Sequence, residues 1–316
     1  MLNKYMNIER IEFVITNACT SRCRHCSVGN KLNINKSSID KEKAISIVTE
    51  LSKHYSIESV MTFGGEPLVY ADTVCAIHRT AKACGIPKKQ IITNGYFSKD
   101  DSKIIAVAKA LKNSGVNSIL LSVDAFHKEY IPQEQVYKFA KALCAEGIDG
   151  FKLHPAWVVD RQHDNNYNKE TEACLDNFTK LGIPISSGNN ILPTGNAAIY
   201  LSDFYEKKPI DIGMKCGEAP YTTKLDDIQA ISVNPNGDIV VCCFVIGNIY
   251  CESITQIINR YNPYENPLMS ALINGGISAL MKLAEVNDVT IDVSQYYSAC
   301  SVCNDIVKKL NRVNCV

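Results

Sequence analysis

A chain of 316 residues, 46% of them hydrophobic, is long enough to bury a large core and too apolar to be disordered. Its 33 Lys and Arg are matched by 33 Asp and Glu, so net charge gives no reason to expect nucleic acid or an anionic membrane as partner. The opening MLNKYMNIER lacks a signal-peptide core, and no apolar run approaches the ~20 residues of a bilayer span, so a cytoplasmic location is expected.

Short apolar runs alternate with helical patterns over the first two-thirds of the chain. Strands are expected at 11–16, 59–63, 90–93, 118–123, 150–158 and 183–187, most of them β-branched or aromatic and ending near a turn signal. Helices are expected at about 39–55, 70–84, 101–113, 133–146 and 168–181. The first carries apolar Ala44, Ile45, Val48, Leu51 and Tyr55 near a 3.6 period, behind Ser and Asp caps. Gly85, Gly115, Gly147 and Gly182 follow the later helical runs as C-terminal stops. Pro155 marks a bulge or strand end, which leaves the facing of Trp157 open.

Six strands alternating with helices imply a parallel sheet with right-handed crossovers. Six is two short of a closed eightfold barrel. The expected α/β fold is therefore a partial (β/α)6 TIM-type barrel with its chemistry at the C-terminal strand ends. The pattern changes near residue 207. AISVNPNGDIVVCC reads as a hairpin turning at Asn236-Gly237, and helices are expected near 252–260 and 267–285, then a short one after CSVC. The division is a barrel over 1–206 and a small α+β domain over 207–316.

Fourteen cysteines in a cytosolic chain point to metal or catalysis rather than to disulfides. Cys75, Cys84, Cys144 and Cys174 lie in helical patterns and read as small buried hydrophobes. Cys19, Cys23 and Cys26 form CxxxCxxC directly after the first strand. One loop can wrap three thiolates round a cubane, leaving one iron of a [4Fe–4S] cluster open. Zinc with His25 as fourth ligand is the alternative, awkward because His25 adjoins Cys26.

Further signals sit at successive strand ends. Gly64-Gly65-Glu66-Pro67 follows Phe63, Asn94-Gly95 follows Thr93, Ser122 and Asp124 end the fourth strand, and Pro193 lies after the sixth. Glycines permit close backbone approach to a ligand, and Glu66 offers a charge for an ammonium. With the cysteine triad, this order resembles the radical S-adenosylmethionine (SAM) superfamily over about the first 200 residues. The resemblance implies that Gly64, Gly65, Glu66 and Pro67 hold the methionine amino group of SAM. It places Asn94, Ser122, Asp124 and Pro193 about the rest of the cofactor. It further implies a 5′-deoxyadenosyl radical that takes a hydrogen atom from substrate, and an electron donor of flavodoxin or ferredoxin type.

A second cysteine group lies beyond residue 215. Cys300-x-x-Cys303 has ligand spacing, and Cys216 and Cys242 complete a four-ligand site. The group resembles the Twitch or SPASM domains that carry an auxiliary [4Fe–4S] cluster, with a zinc site as the alternative. Alternation along a strand would point Cys243 away from Cys242. Cys243 is then either a structural thiol or a hydrogen-atom donor, and the two cysteines could exchange roles. The double cysteine resembles that of radical SAM peptide epimerases. Cys251 and Cys315 receive no assignment. Lys152 and His154 share one face of the fifth strand and are candidates to line the substrate cavity. His127, just after Asp124, is expected to shape its loop.

The leading expectation is epimerisation of L to D residues in a ribosomally made peptide, with Cys243 as donor. Oxidation of a small alcohol, as in aminocyclitol dehydrogenases, and peptide thioether crosslinking are the alternatives. A non-catalytic metal scaffold would leave the cofactor motifs without a purpose. A first strand near residue 11 leaves no room for an N-terminal leader-binding domain, so a peptide would be gripped by the barrel, the second domain or a separate protein.

Overall fold

The computed structural model describes residues 3–29, 36–219 and 222–313. The chain divides into two compact units. One comprises residues 10–204 with 232–237; the other comprises 1–9, 205–231 and 238–316.

The larger unit is a parallel α/β half-barrel. Strands β1 (Met6–Val14), β2 (Ser59–Phe63), β3 (Lys88–Thr93), β4 (Ser118–Ser122) and β5 (Gly150–His154) lie side by side in chain order, all parallel. Helices α1 (Lys41–Ser52), α2 (Ala71–Ala83), α3 (Asp101–Asn113), α4 (Ala125–Lys128) and α5 (Gln133–Glu146) make the crossovers. Each strand turns alternate residues toward this helical layer, and β2 and β3 bury residues on both faces. Ile11, Phe13, Val60, Ile91, Ile119, Leu121, Phe151 and Leu153 form that face.

Local chemistry sets the helix limits. Asp40 caps α1 by accepting from the Lys43 N–H, so the helix begins at Lys41 rather than near residue 39. That start turns Ala44, Ile47, Val48 and Leu51 inward, and Ile45 is left half-buried. Asp100 caps α3, and α5 stops at Gly147 in the left-handed conformation. Cys75 and Cys174 are buried as expected. Cys84 and Cys144 are exposed, because they fall at the C-terminal ends of α2 and α5 where the buried stripe has turned away.

Two strands differ from expectation. The first starts at Met6, not near 11, and its opening residues Met6–Glu9 belong to the smaller unit. The long run at 150–158 breaks at Pro155 into β5 and β6 (Ala156–Val158), since proline removes a ladder donor. β6 pairs in parallel with β7 (Asn189–Ile191). The expected sixth strand at 183–187 is a single parallel bridge, Leu153 to Ile185. Trp157 is fully buried, its indole donating to the Ser187 carbonyl at 2.9 Å. Helices α6 (Asn166–Asp176) and α7 (Ala197–Tyr200) complete the unit.

β8 (Ile228–Val233), β9 (Asp238–Val241) and β10 (Phe244–Asn248) form a meander, of which β9, β10 and β8 as far as Ile231 belong to the smaller unit. The Ile228 N–H bonds to the Tyr5 carbonyl. Asn236-Gly237 lies in the first turn, as expected, with Gly237 at φ 86°. Helix α8 (Ile254–Arg260) opens on a capping box of Ser253 and Gln256. Helices α9 (Pro267–Val286) and α10 (Ala299–Val313) pack together. By length and composition α9 could cross a membrane, but Gly276 interrupts it and Met269, Leu272, Ile277 and Leu280 are buried in this unit.

The sheet depends on its helical layer. Phe139 of α5 is fully buried, and its replacement by Ala is expected to cost about 3–5 kcal/mol. Denaturant titration of the holoprotein measures it.

Candidate active site

The cysteine loop leaves β1 and runs immediately into the end of β2. Gly65 N–H donates to the Thr16 carbonyl at 2.7 Å, and Glu66 N–H to the Ala18 carbonyl at 2.8 Å. A Cβ on Gly65 would lie 2.1 Å from the Ala18 oxygen, and one on Gly64 (φ 145°) 2.6 Å from the Thr16 oxygen. The paired glycines therefore let the turn after β2 press its backbone against the segment that enters Cys19. Pro67 opens the short 3-10 turn that follows.

Glu66 is fully buried and ties strand ends together. Its carboxylate accepts from Leu68 N–H at 3.0 Å, Thr93 Oγ1 at 2.6 Å and Asn94 N–H at 2.8 Å. Burial raises its pKa to about 7 against the lowering effect of those three donors. The Asn94 side chain turns back to the cysteine loop, with Nδ2 3.2 Å from Thr20 Oγ1 and 3.8 Å from Cys19 Sγ.

A second buried carboxylate sits after β4. Ser122 ends that strand and Asp124 caps α4. Asp124 accepts from the His127 backbone at 2.9 Å, and both its oxygens lie within 2.9 Å of His127 Nδ1. The His127 ring also hydrogen-bonds Cys23. Burial alone would lower the His127 pKa and raise that of Asp124. Their mutual attraction outweighs it, holding His127 well above its ordinary value and Asp124 at about 2. His25 packs against Phe126 with ring centroids 4.8 Å apart and the planes tilted by 44°, and burial pushes its pKa down to about 4. Its nitrogens group with Asp124 and His127 rather than with the three thiols, which disfavours the zinc alternative.

The last barrel loop closes over the same cysteines. Asn196 N–H donates to the Cys26 carbonyl at 2.9 Å, and Asn196 Nδ2 to the Cys23 carbonyl at 3.1 Å. A Cβ on Gly195 would fall 2.3 Å from the Ser27 oxygen. Pro193 lies two residues before that contact. Sequence reasoning passed over Asn196 and Ser21, whose Oγ lies 2.8 Å from Cys23 Sγ. Neither carries a recognisable spacing. Ser21 acts through the local fold of its own loop, and Asn196 only because residues far apart in sequence meet.

The structure thus gathers Cys19, Cys23 and Cys26 with Gly64, Gly65, Glu66, Pro67, Asn94 and Asp124 at the C-terminal ends of the strands. Three thiols on one loop, with Cys19 and Cys23 hydrogen-bonded by Ser21, Asn94 and His127, fit the sulfur ligands of a [4Fe–4S] cluster. On the face of β5 away from the helices, Lys152 is exposed and His154 bonds Ser186 Oγ at 2.8 Å.

The smaller unit holds a second thiol group. Cys216, Cys242, Cys243, Cys300 and Cys303 line one cavity of about 240 Å³ with no histidine or carboxylate among its lining residues. Five thiols without a histidine or carboxylate are the donor set of an iron–sulfur cluster, and the volume exceeds what one zinc ion fills. Cys300 and Cys303 lie in the first turn of α10, three apart and so on one side of the helix.

Cys242 and Cys243 correct an expectation. They are the two-residue turn joining β9 to β10, not consecutive strand residues, so alternation does not part them. Cys242 adopts φ 53°, a conformation rare outside glycine. Both thiols therefore face the cavity, and Cys243 Sγ lies 3.9 Å from Cys303 Sγ. Hydrogen bonds from Cys216 and Cys243 lower the Cys242 pKa, while the bond to Cys242 raises that of Cys243. Cys251 is exposed, and Cys315 lies outside the described residues.

The raised pKa of Glu66 has a measurable sign. A carboxyl lifted from its ordinary 4.5 to about 7 stabilises the fold below pH 4.5 and loses that contribution as pH rises toward 7. Relative to Glu66→Gln, the wild type is expected to lose about 1 kcal/mol per pH unit between pH 5.5 and 7, read by denaturant titration.

The family model of the Radical SAM superfamily matches residues 13–198. Among curated relatives, the GTP 3′,8-cyclase of Moorella thermoacetica is 27% identical over 156 residues, 46% of this chain and 46% of the relative. The probable GTP 3′,8-cyclase of Saccharolobus islandicus is 30% identical over 163 residues, 49% of each. The chain thus spans about half the length of the curated relatives it matches. Streptococcus suis SuiB bound to S-adenosylmethionine shares the fold, with a TM-score of 0.53 at 14% identity over 94% of this chain and 77% of that one. So does anSMEcpe with bound AdoMet, at 0.51 and 13% over 96% and 99%. With the cysteine loop, the paired glycines and Glu66 assembled at the strand ends, the match over 13–198 settles the family: the chain belongs to the Radical SAM superfamily.

Proposed function

We propose that this protein inverts an α-carbon in a ribosomally made peptide, taking a hydrogen atom from one face and returning another from Cys243. One observation carries the reading: five thiols line a single cavity, one more than a four-ligand cluster needs. In this reading Cys216, Cys242, Cys300 and Cys303 hold an auxiliary [4Fe–4S] cluster and Cys243 keeps its hydrogen.

When bound, SAM and the first cluster supply a 5′-deoxyadenosyl radical that abstracts the substrate hydrogen. The chain's own residues hold and shield that chemistry. Gly64 and Gly65 shape the turn beside the cysteine loop, and Glu66 offers the charge for the cofactor's ammonium. Thr93 and Asn94 hold that carboxylate in place. Asp124 orients His127 against Cys23. Lys152 and His154, on the strand face away from the helices, are offered as substrate contacts. Donation breaks the Cys243 S–H bond and forms the new Cα–H bond. The resulting thiyl regains one electron from an external reductant of flavodoxin or ferredoxin type and one proton from water.

Two structural neighbours support a peptide substrate. SuiB is also known bound to its precursor peptide SuiA, and anSMEcpe with a Cp18Cys peptide. The GTP 3′,8-cyclases match less than half of this chain. Neither a small-alcohol oxidation nor GTP cyclisation gives the fifth thiol a task.

Anaerobic turnover in heavy water with peptides encoded beside the gene is the test. One deuterium is expected at an inverted α-carbon. Cys243→Ala is expected to form 5′-deoxyadenosine at an unchanged or lower rate with at least tenfold less inverted peptide. Full inversion in that variant would defeat the donor role, and a thioether product would redirect the reading to crosslinking.

A further inference from the structure

Of the four proposed auxiliary ligands, Cys216 alone belongs to neither a helix nor a hairpin. Cys242 is fixed by a hairpin, and Cys300 and Cys303 by α10. Within 211–218 the hydrogen bonds are local. Gly213 N–H reaches Asp211 Oδ1, Met214 N–H the Asp211 carbonyl, Lys215 N–H Glu218 Oε2 and Glu218 N–H the Lys215 carbonyl. Among the described residues, the backbone bonds tying this stretch to another element come from α9: Ile277 N–H to the Met214 carbonyl at 3.2 Å, and Ser278 N–H to the Ile212 carbonyl at 2.7 Å; the Cys216 thiol itself bonds the Thr223 carbonyl at 3.8 Å and the Cys242 thiol.

Those two donors are free because α9 is broken. In a continuous helix they would bond to carbonyls four residues back, at Ile273 and Asn274. Gly276 instead adopts φ 67° and ψ −157°, a region essentially closed to residues with a Cβ. The break also lets the loop approach. A Cβ on Gly276 would lie 2.5 Å from the Gly213 oxygen and 2.6 Å from the Met214 oxygen. Both contacts are with backbone, so no rotamer change relieves them. Leu272 before the break and Ile277 after it both line the thiol cavity.

We propose that the break at Gly276 is a positioning device that seats Cys216 as a ligand of the second cluster. The inference rests on the auxiliary-cluster reading above. Gly276 pins Met214 two residues before Cys216, and so converts an irregular loop into a fixed ligand without touching the metal. The ligand set then depends on a residue 60 positions downstream of the cysteine it serves.

The test is iron and sulfide content of anaerobically purified holoprotein, with EPR of the reduced sample with and without SAM. Gly276→Ala is expected to halve iron and sulfide per chain, as Cys216→Ser does, while keeping the SAM-perturbed signal of the first cluster. Ser278→Pro, which removes one donor in a first helical turn where proline is tolerated, is expected to lower second-cluster occupancy at least twofold. Asn274→Ala, on the exposed side of the same helix, is expected to retain full iron. Full occupancy in Gly276→Ala or Ser278→Pro, with half occupancy in Cys216→Ser, overturns the role of the break alone. Full occupancy in Cys216→Ser overturns the ligand reading and this inference with it.

Discussion

The closest backbone approach in the active site is between the turn after β2 and the segment entering the cysteine loop. Gly65 stands where any side chain would overlap the Ala18 carbonyl, and Gly64 stands likewise against Thr16. Two hydrogen bonds lock the contact, from Gly65 to Thr16 and from Glu66 to Ala18. A loop carrying three thiols has little apolar surface of its own to bury. Its shape is borrowed from the sheet, and the paired glycines are the point of transfer. Buried carboxylates then extend the arrangement sideways, with Glu66 reaching the end of β3 and Asp124 fixing His127 beside Cys23.

The two carboxylates show how environment separates like groups. Both are fully buried. Glu66 is raised by burial, with neutral hydrogen-bond donors and only a weaker pull from His127, whereas Asp124 is paired directly with the His127 imidazole and is lowered. The first is a hydrogen-bonding hub and the second half of an ion pair. A sequence shows two acids at strand ends and cannot separate these cases, because the separation depends on which partners arrive across the sheet.

Much of the architecture was nevertheless legible. Strand positions followed from β-branched runs, and the helices from their apolar period and caps. The first triad was legible because all three ligands lie within eight residues of one loop. Legibility failed where geometry replaced periodicity. Pro155 split one strand, and the expected sixth strand shrank to a bridge at Ile185 because only Leu153 pairs with it. The Cys242-Cys243 pair was read by strand alternation, but a two-residue turn does not alternate. Asn196 was invisible because its partners, the carbonyls of Cys23 and Cys26, are backbone atoms that leave no mark in the sequence.

The bond between Asn196 and Cys23 spans 173 residues, and it has a consequence during synthesis. The cysteine loop leaves the ribosome well before the segment that closes over it. At about 5–20 residues per second, the nascent thiols wait roughly 10–30 s for their last restraint. Through that interval the loop gains its restraints in steps, from β1 and β2, then from Asn94, then from His127. The order of manufacture therefore favours a site that receives its iron and sulfide after the barrel is complete, when all the clamping strand ends are present at once.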